Sequence, residues 1–178
     1  MATLGERMVG AMKADVATFE EIERDSTALG QAVTVIVLAG VAALIGNIFR
    51  AGIGAGIGAL LMALIGYAIW SVLVVVIGTK LMPEPATKAD FQEAFRVVGF
   101  AAAPGVFNVL AIIPFLGPLI SFAIAIWSLV VMVIAVRTVL DYTSTARAIL
   151  VCVIGFVVYL IVTWIILAPI FIGSLLMS

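Results

Sequence analysis

The chain has 178 residues, of which 65% are hydrophobic and only 11% charged, and its formal net charge is −1. A soluble domain carries about 25% charged residues, so this composition predicts an integral membrane protein with membrane lipids around it. The near-neutral charge offers no concentrated basic surface, and nucleic acid is therefore excluded as an expected partner.

The amino-terminal segment, residues 1–30, contains nine of the nineteen charged side chains. We predict a cytoplasmic amphipathic helix here, because apolar residues recur every three or four positions and leave the charges on the other face. Its apolar face consists of Leu4, Met8, Met12, Val16, Phe19 and Ile22. Two placements stay open: the helix lies flat in the membrane interface, or it docks on the rest of the protein or on a second copy.

The remaining residues, 31–178, predict an all-α bundle of five transmembrane helices. The expected spans are 31–49, 53–79, 96–113, 119–136 and 149–172. Each contains enough apolar residues to cross a bilayer core, which takes roughly 20 residues in a helix. A six-span arrangement, with the second or fifth run split, stays open as an alternative.

A row of glycines opens the second span. Gly52, Gly54, Gly56 and Gly58 form two overlapping GxxxG patterns. Small residues of this kind let helix backbones approach closely in lipid. We therefore interpret the row as a helix-packing surface, within one chain or between two, rather than as a pore or a binding loop.

The third span is the stretch around which we expect the bundle to be organised. Pro104 interrupts it, Pro114 and Pro118 close it, and Asn108 lies inside it. A polar amide in hydrocarbon must find a partner helix or water. These four residues are a candidate intramembrane polar and kink site.

Lysine and arginine lie almost entirely on one predicted side of the membrane. Three precede the first span, three lie between the second and third, two lie between the fourth and fifth, and Arg50 is alone on the opposite side. The positive-inside rule then places the amino terminus in the cytoplasm and the carboxyl terminus outside. The charged residues at the predicted cytoplasmic ends of the spans serve as interfacial anchors or form a docking surface for a partner or a lipid headgroup. They are Lys80, Asp90, Glu93, Arg96, Arg137, Asp141 and Arg147.

Residues for enzyme chemistry are scarce. The chain has no histidine, and its carboxylates lie outside the predicted cores of the spans. Histidine-based catalytic triads and histidine metal sites are thereby excluded. We predict a protein that is not an enzyme and has no catalytic, cofactor or metal site.

Several stretches together resemble the Ypt-interacting-protein (Yip) domain family of five-span membrane proteins. They are FQEAFRVVGFAAAP at 91–104, Ile113-Pro114, Leu116-Gly117, Ile126-Trp127, the acidic run 20–25, Gln31-Ala32 and the run 143–148. The resemblance implies a cytosolic amino terminus, five helices and, in eukaryotic members, association with Rab-type GTPases. The Asp-Leu-Tyr-Gly-Pro element of those members is absent from the sequence. The short form is more similar to the prokaryotic branch, which implies an inner cell membrane.

Two functions follow as hypotheses. The first is a membrane scaffold or adaptor that organises the bilayer or recruits a cytosolic or membrane protein partner through its cytoplasmic face, alone or as a homo-oligomer. The second is a small channel or transporter with a polar path near Pro104, Asn108 and Pro114. The first is preferred, because transporters usually carry an ionisable residue inside the membrane and none is expected here.

Overall fold

The computed structural model of the protein describes the backbone of residues 2–176, and the side chains of that range except 50–53, 55 and 166–176. Within this range the chain is helical and contains no β-strand. The α-helices are α1 (Leu4–Met12), α2 (Val16–Arg24), α3 (Leu29–Val76), α4 (Phe91–Phe100), α5 (Gly117–Val139) and α6 (Thr145–Leu176). Two 3₁₀ segments (Ser26–Ala28 and Ala103–Ile112) and one π-helical turn (Ile77–Leu81) connect them.

Five described helical stretches are long and apolar enough to cross a membrane, which confirms the predicted fold class. They are Ser26–Phe49, Gly56–Leu81, Phe91–Ile112, Gly117–Val139 and Thr145–Ile165. The division at residue 30 and the orientation of the termini stay predictions.

Helix α3 contains the first two spans and reverses direction between them. A straight helix of this length would hold Gly40 about 30 Å from Leu60 and Leu44 about 18 Å from Gly56. Instead, a Cβ at Gly40 would meet the side chain of Leu60, and one at Gly56 would meet that of Leu44. Each pair is centred on residue 50, so α3 is a hairpin with a first arm (residues 29–49) and an antiparallel second arm (residues 56–76).

The third span is the centre of the bundle. Of its most apolar window, 61% is buried inside the protein, against 17–28% for the other four spans. Asp90 caps the start of α4. Its side chain accepts a hydrogen bond from the backbone N–H of Glu93, and the Glu93 side chain accepts one from the backbone N–H of Asp90. The α-helix ends at Phe100, and the span continues as a 3₁₀ helix with Pro104 in its first turn. The interruption predicted at Pro104 therefore takes the form of a change in helix type.

Small residues join the third span to the first arm of α3. A Cβ at Gly99 would crowd Ala32, one at Gly105 would crowd Ala39, and one at Gly46 would run into the backbone carbonyl of Asn108. Residues 32, 39 and 46 are spaced by seven, so they share one face of the arm. This close packing explains how the part of the span after Arg96, which has no charged residue, can be held at the centre of the bundle.

The glycine row predicted to pack helices has mixed surroundings. Gly56 meets Leu44 inside the α3 hairpin, whereas a Cβ at Gly54 or Gly58 would meet nothing within 4 Å. The surroundings of Gly52 lie outside the described residues. The packing role of the glycine row therefore stays a prediction. Among the described residues, the third span packs closely against the first arm of α3 at residues 32, 39 and 46.

The amino-terminal segment forms two short helices rather than the single helix expected from the periodicity. The backbone turns between α1 and α2 at Ala14, whose φ of 55° lies in the left-handed region. A Cβ at Gly10 would meet Thr18 across the turn, and Arg7 bonds to Glu21, so the helices are antiparallel. We call this pair the α1–α2 hairpin.

Candidate functional site

The α1–α2 hairpin is held to the bundle by a buried arginine. Arg7 is only 1% exposed, and its guanidinium donates to both carboxylate oxygens of Glu21 at 2.9 and 2.6 Å. It also donates to the Gln31 side chain at 2.9 Å and to Asp25. The hydrogen bond from Arg7 lowers the pKa of the Glu21 carboxyl below its usual value. The periodicity of the amino-terminal segment predicts that Arg7 lies on the hydrated face of the helix, and the structure corrects that prediction.

The apolar face of the hairpin is turned toward the protein. Phe19 and Ile22 are fully buried, while Val16 is 42% exposed. Leu4, Met8 and Met12 are partly buried against the same core. Of the two placements left open by the sequence, docking on the rest of the protein is the one found in the structure.

Contacts with α5 fix the direction of the hairpin. The indole nitrogen of Trp127 donates to the Met12 carbonyl at 2.8 Å, at the turn of the hairpin. Trp127 lies ten residues before Arg137, about 15 Å along the helix. The hairpin therefore runs beside α5 from its middle to its carboxyl end. We call that end of the bundle, where Arg96, Arg137 and Asp141 lie, the charged end.

The basic residues predicted to form a docking surface are largely engaged inside the protein. Arg96 is 5% exposed, and its Nη2 donates to the Glu23 carbonyl at 2.6 Å. Arg137 donates to the carbonyl of Tyr142, in the loop that follows α5, and to the hydroxyl of Thr145, the first residue of α6. Arg147 pairs with Glu84 at 3.5 Å. These three arginines stabilise the fold of the charged end.

The other four predicted docking residues lie in three different settings. Asp90 and Glu93 cap the start of α4, and Lys80 lies exposed in the π-helical turn. Asp141 follows α5 with a φ of 51°, a left-handed backbone conformation. The seven residues therefore do not form one uniform surface.

An open cleft of about 420 Å³ lies between α2, α4 and the carboxyl end of α5. Its acidic members are Glu20, Glu23, Glu93 and Asp141, and its basic members are Arg24 and Arg137. Arg24 pairs with Glu20 at 2.7 Å, and Arg137 is engaged by the loop. Among the described residues, Glu23, Glu93 and Asp141 make no ion pair. We call this site the acidic cleft.

Glu23 has the most perturbed environment in the acidic cleft. Burial, together with the negative charges of Asp141 and Glu93, raises the pKa of its carboxyl to about 7. Glu20 and Glu23 were not predicted as site residues, because they lie about 70 and 120 positions away from Glu93 and Asp141 in the sequence. Their spacing of three residues on one helix face was the available signal.

The candidate intramembrane site is not brought together in one place. Pro104 is buried at the start of the 3₁₀ helix, and Pro114 lies beyond its other end, about 20 Å away at 2.0 Å per residue. Pro118 lies in the first turn of α5. Asn108 donates its amide to the Gly105 carbonyl at 3.1 Å, so its polar group is satisfied locally.

The family comparison covers most of this architecture. A family model described as the Yip1 domain matches residues 9–166, a range that includes most of the α1–α2 hairpin, the acidic cleft and the five apolar stretches. Neither the curated proteins nor the solved structures contain a significant match to the chain. The resemblance seen in the sequence is thereby confirmed, and the chain belongs to the Yip1 domain family of membrane proteins.

Proposed function

We propose that this protein is a non-enzymatic membrane adaptor that recruits a cytosolic partner through the acidic cleft. The observation that carries the proposal is the cleft itself: it is open, and three of its four carboxylates have no ion-pair partner among the described residues. Unpaired carboxylates facing a groove favour a partner that supplies Lys or Arg side chains.

The walls of the cleft are held in place by hydrogen bonds, so the protein loses little conformational entropy when a partner binds. Glu93 is held by the cap of α4, and the carbonyl of Glu23 accepts the Arg96 hydrogen bond. On the positive-inside assignment the cleft faces the cytosol. A Lys- or Arg-rich segment of a cytosolic protein is therefore the expected partner.

The transport hypothesis gains less support from the same contacts. A polar path would need unsatisfied groups within the membrane. Asn108 instead bonds to Gly105, and its carbonyl packs against Gly46. These contacts are those of a helix-packing element.

A peptide-binding experiment tests the adaptor proposal. The full chain is placed in nanodiscs of zwitterionic lipid and titrated with a fluorescent octalysine peptide. Binding should weaken steeply with added salt, because the attraction is electrostatic. The double variant Glu23→Gln with Asp141→Asn should bind about tenfold more weakly, which corresponds to about 1.4 kcal/mol.

The matched control is Lys80→Gln, which removes an exposed charge that does not line the cleft. It should bind the peptide at least as well as the parent protein. Equal binding by the parent protein and the double variant would exclude the cleft as the docking site. Labelling of Thr138→Cys from outside the cell would show that the cleft does not face the cytosol.

A further inference from the structure

The turn of the α1–α2 hairpin lies deep beside α5. Its Met12 carbonyl accepts the hydrogen bond from Trp127, and Phe107 of the third span stacks on the same indole with ring centroids 5.5 Å apart. Trp127 is ten residues from Gly117 at one end of the α5 span and ten from Arg137 near the other, about 15 Å from each. A bilayer core is about 30 Å thick. The turn therefore reaches about halfway across the membrane.

The backbone of this turn is satisfied by the protein itself. The carbonyls of residues 9–11 accept hydrogen bonds from the backbone N–H groups of residues 13–15, at 2.9–3.1 Å. The last carbonyl of α1, that of Met12, is the one bonded to Trp127. A loop is tolerated at membrane depth only where its backbone groups have partners in the protein or in water. The backbone of the hairpin is therefore compatible with the depth at which it lies.

Two charged side chains at the turn are not neutralised in this way. Lys13 and Asp15 flank Ala14, both are exposed, and neither forms an ion pair with any residue that the structure describes. The Asp15 carboxylate accepts hydrogen bonds from Thr18 but has no cation beside it. Lysine can extend its charge toward the membrane surface, whereas aspartate is too short to do so. The medium around the turn must therefore be polar.

The lipid-facing surface of α5 stops further from the charged end than that of α6. The two helix ends are level, because Arg137 donates to Thr145. Large exposed apolar side chains on α6 begin at Ile149, about 6 Å from Thr145, whereas those on α5 end at Val130, about 10 Å from Arg137. Between residues 131 and 140 every side chain is buried or half-buried. The hairpin and its neighbours thus replace lipid along this part of α5.

We propose that the α1–α2 hairpin thins the bilayer locally by drawing zwitterionic phospholipid headgroups of its own leaflet inward to Lys13 and Asp15. The two side chains have opposite charges and lie two positions apart, so a headgroup phosphate can pair with Lys13 while its ammonium group pairs with Asp15. The headgroups bring water with them, which shortens the hydrocarbon beside α5 to match its exposed surface.

Headgroups and water solvate charges of both signs, whereas a second copy of the chain would have to place a matching pair of charges at the same depth. This lipid contact is also independent of the acidic cleft, which is lined by neither Lys13 nor Asp15.

Depth-dependent quenching of tryptophan fluorescence tests the proposal. Trp70→Phe and Trp164→Phe leave Trp127 as the single tryptophan of the full chain. The protein is reconstituted in phosphatidylcholine vesicles that contain phosphatidylcholine with a nitroxide either on the headgroup or near the end of one acyl chain. Trp127 is 37% exposed, so the nitroxides can reach it. The headgroup nitroxide should quench Trp127 at least as strongly as the chain nitroxide, because the headgroups lie at its depth.

Trp70 is the matched control. It lies ten residues before Lys80, again about 15 Å from the charged end, and it packs against Tyr159 of α6 rather than against the hairpin. As the single tryptophan it should be quenched mainly by the chain nitroxide. The same pattern at Trp127 would overturn the proposal, because it would place the turn in hydrocarbon. So would an absence of quenching at Trp127 by both nitroxides, which indicates that a second copy covers the turn.

Removing the two charges tests their role directly. Lys13→Met with Asp15→Asn keeps a residue that can cap α2. Quenching of Trp127 should move toward the chain nitroxide, while residues 4–24 keep their protection from hydrogen exchange. Glu6→Gln removes an exposed charge near the other end of α1 and keeps its capping box, so it should leave quenching unchanged. Unchanged quenching in the double variant, or a shift that accompanies loss of protection, would overturn the role of these charges.

Discussion

Replacing the buried arginine of the α1–α2 hairpin should release the hairpin from the bundle. Arg7→Met keeps much of the side-chain volume and removes the charge that Glu21, Asp25 and Gln31 share. Removing one member of a buried ion pair costs about 3–5 kcal/mol, because the remaining charge is left uncompensated.

The exposure of the partners reduces that cost. The Glu21 side chain is 40% exposed and regains water easily, whereas Asp25 is 13% exposed and regains less. We therefore expect a loss of about 2–3 kcal/mol, which is about a 30- to 150-fold shift toward the undocked hairpin.

Hydrogen–deuterium exchange of residues 4–24 in nanodiscs measures this shift directly. The matched control is Arg24→Met, since Arg24 also pairs with a glutamate but is 75% exposed. Such surface pairs contribute about 0.2–1 kcal/mol, so exchange should rise by less than about sixfold. Adding Glu21→Gln to Arg7→Met should restore part of the protection, because it removes one uncompensated charge. Equal exchange in Arg7→Met and Arg24→Met would refute the claim that the buried cluster holds the hairpin.

Three further predictions address the packing of the third span, the cleft and the topology. Gly46→Ala should lower the free energy of unfolding by about 1–3 kcal/mol, because the added Cβ would run into the backbone carbonyl of Asn108. Gly58→Ala adds a Cβ that meets nothing within 4 Å, so it should change the free energy of unfolding little. The Glu23 pKa of about 7 lies above its ordinary value of 4.5, so docking of α2 should weaken as pH rises from 4.5 to 7. Glu23→Gln should remove that dependence, as measured by hydrogen exchange at pH 5.5 and 8. An epitope tag at Ser178 should be labelled only from outside the cell, opposite a tag at the amino terminus.

Hydropathy was sufficient to predict five spans, because an apolar run of about 20 residues has few alternatives to a membrane helix. The reversal of the chain near Arg50 could also be predicted from the sequence, because this single charged residue separates the first two apolar segments. The turn at Ala14 could not be predicted from the sequence. Alanine has no preference for turns, and a residue with a Cβ rarely adopts the left-handed backbone conformation found there.

The acidic cleft and the buried arginine could not be derived from local pattern. Arg7 is stabilised by residues 14 to 24 positions away, and the periodicity of α1 alone places it in water. The seam at Ala32, Ala39 and Gly46 did carry a seven-residue signal. The glycine row that follows matches the GxxxG pattern and is the packing surface that the sequence predicts.

The third span connects the packing of the bundle to its charged end. Its glycines seat it against the first arm of α3, and three positions before Gly99 the side chain of Arg96 donates to the backbone carbonyl of Glu23 in α2. Because α2 forms one wall of the acidic cleft, the cleft exists only while the hairpin is docked. Freeing the hairpin with Arg7→Met should therefore also weaken octalysine binding, whereas neutralising Glu23 and Asp141 should weaken binding about tenfold and leave the hairpin protected. That asymmetry distinguishes a binding surface built by docking from a charge effect of the chain as a whole.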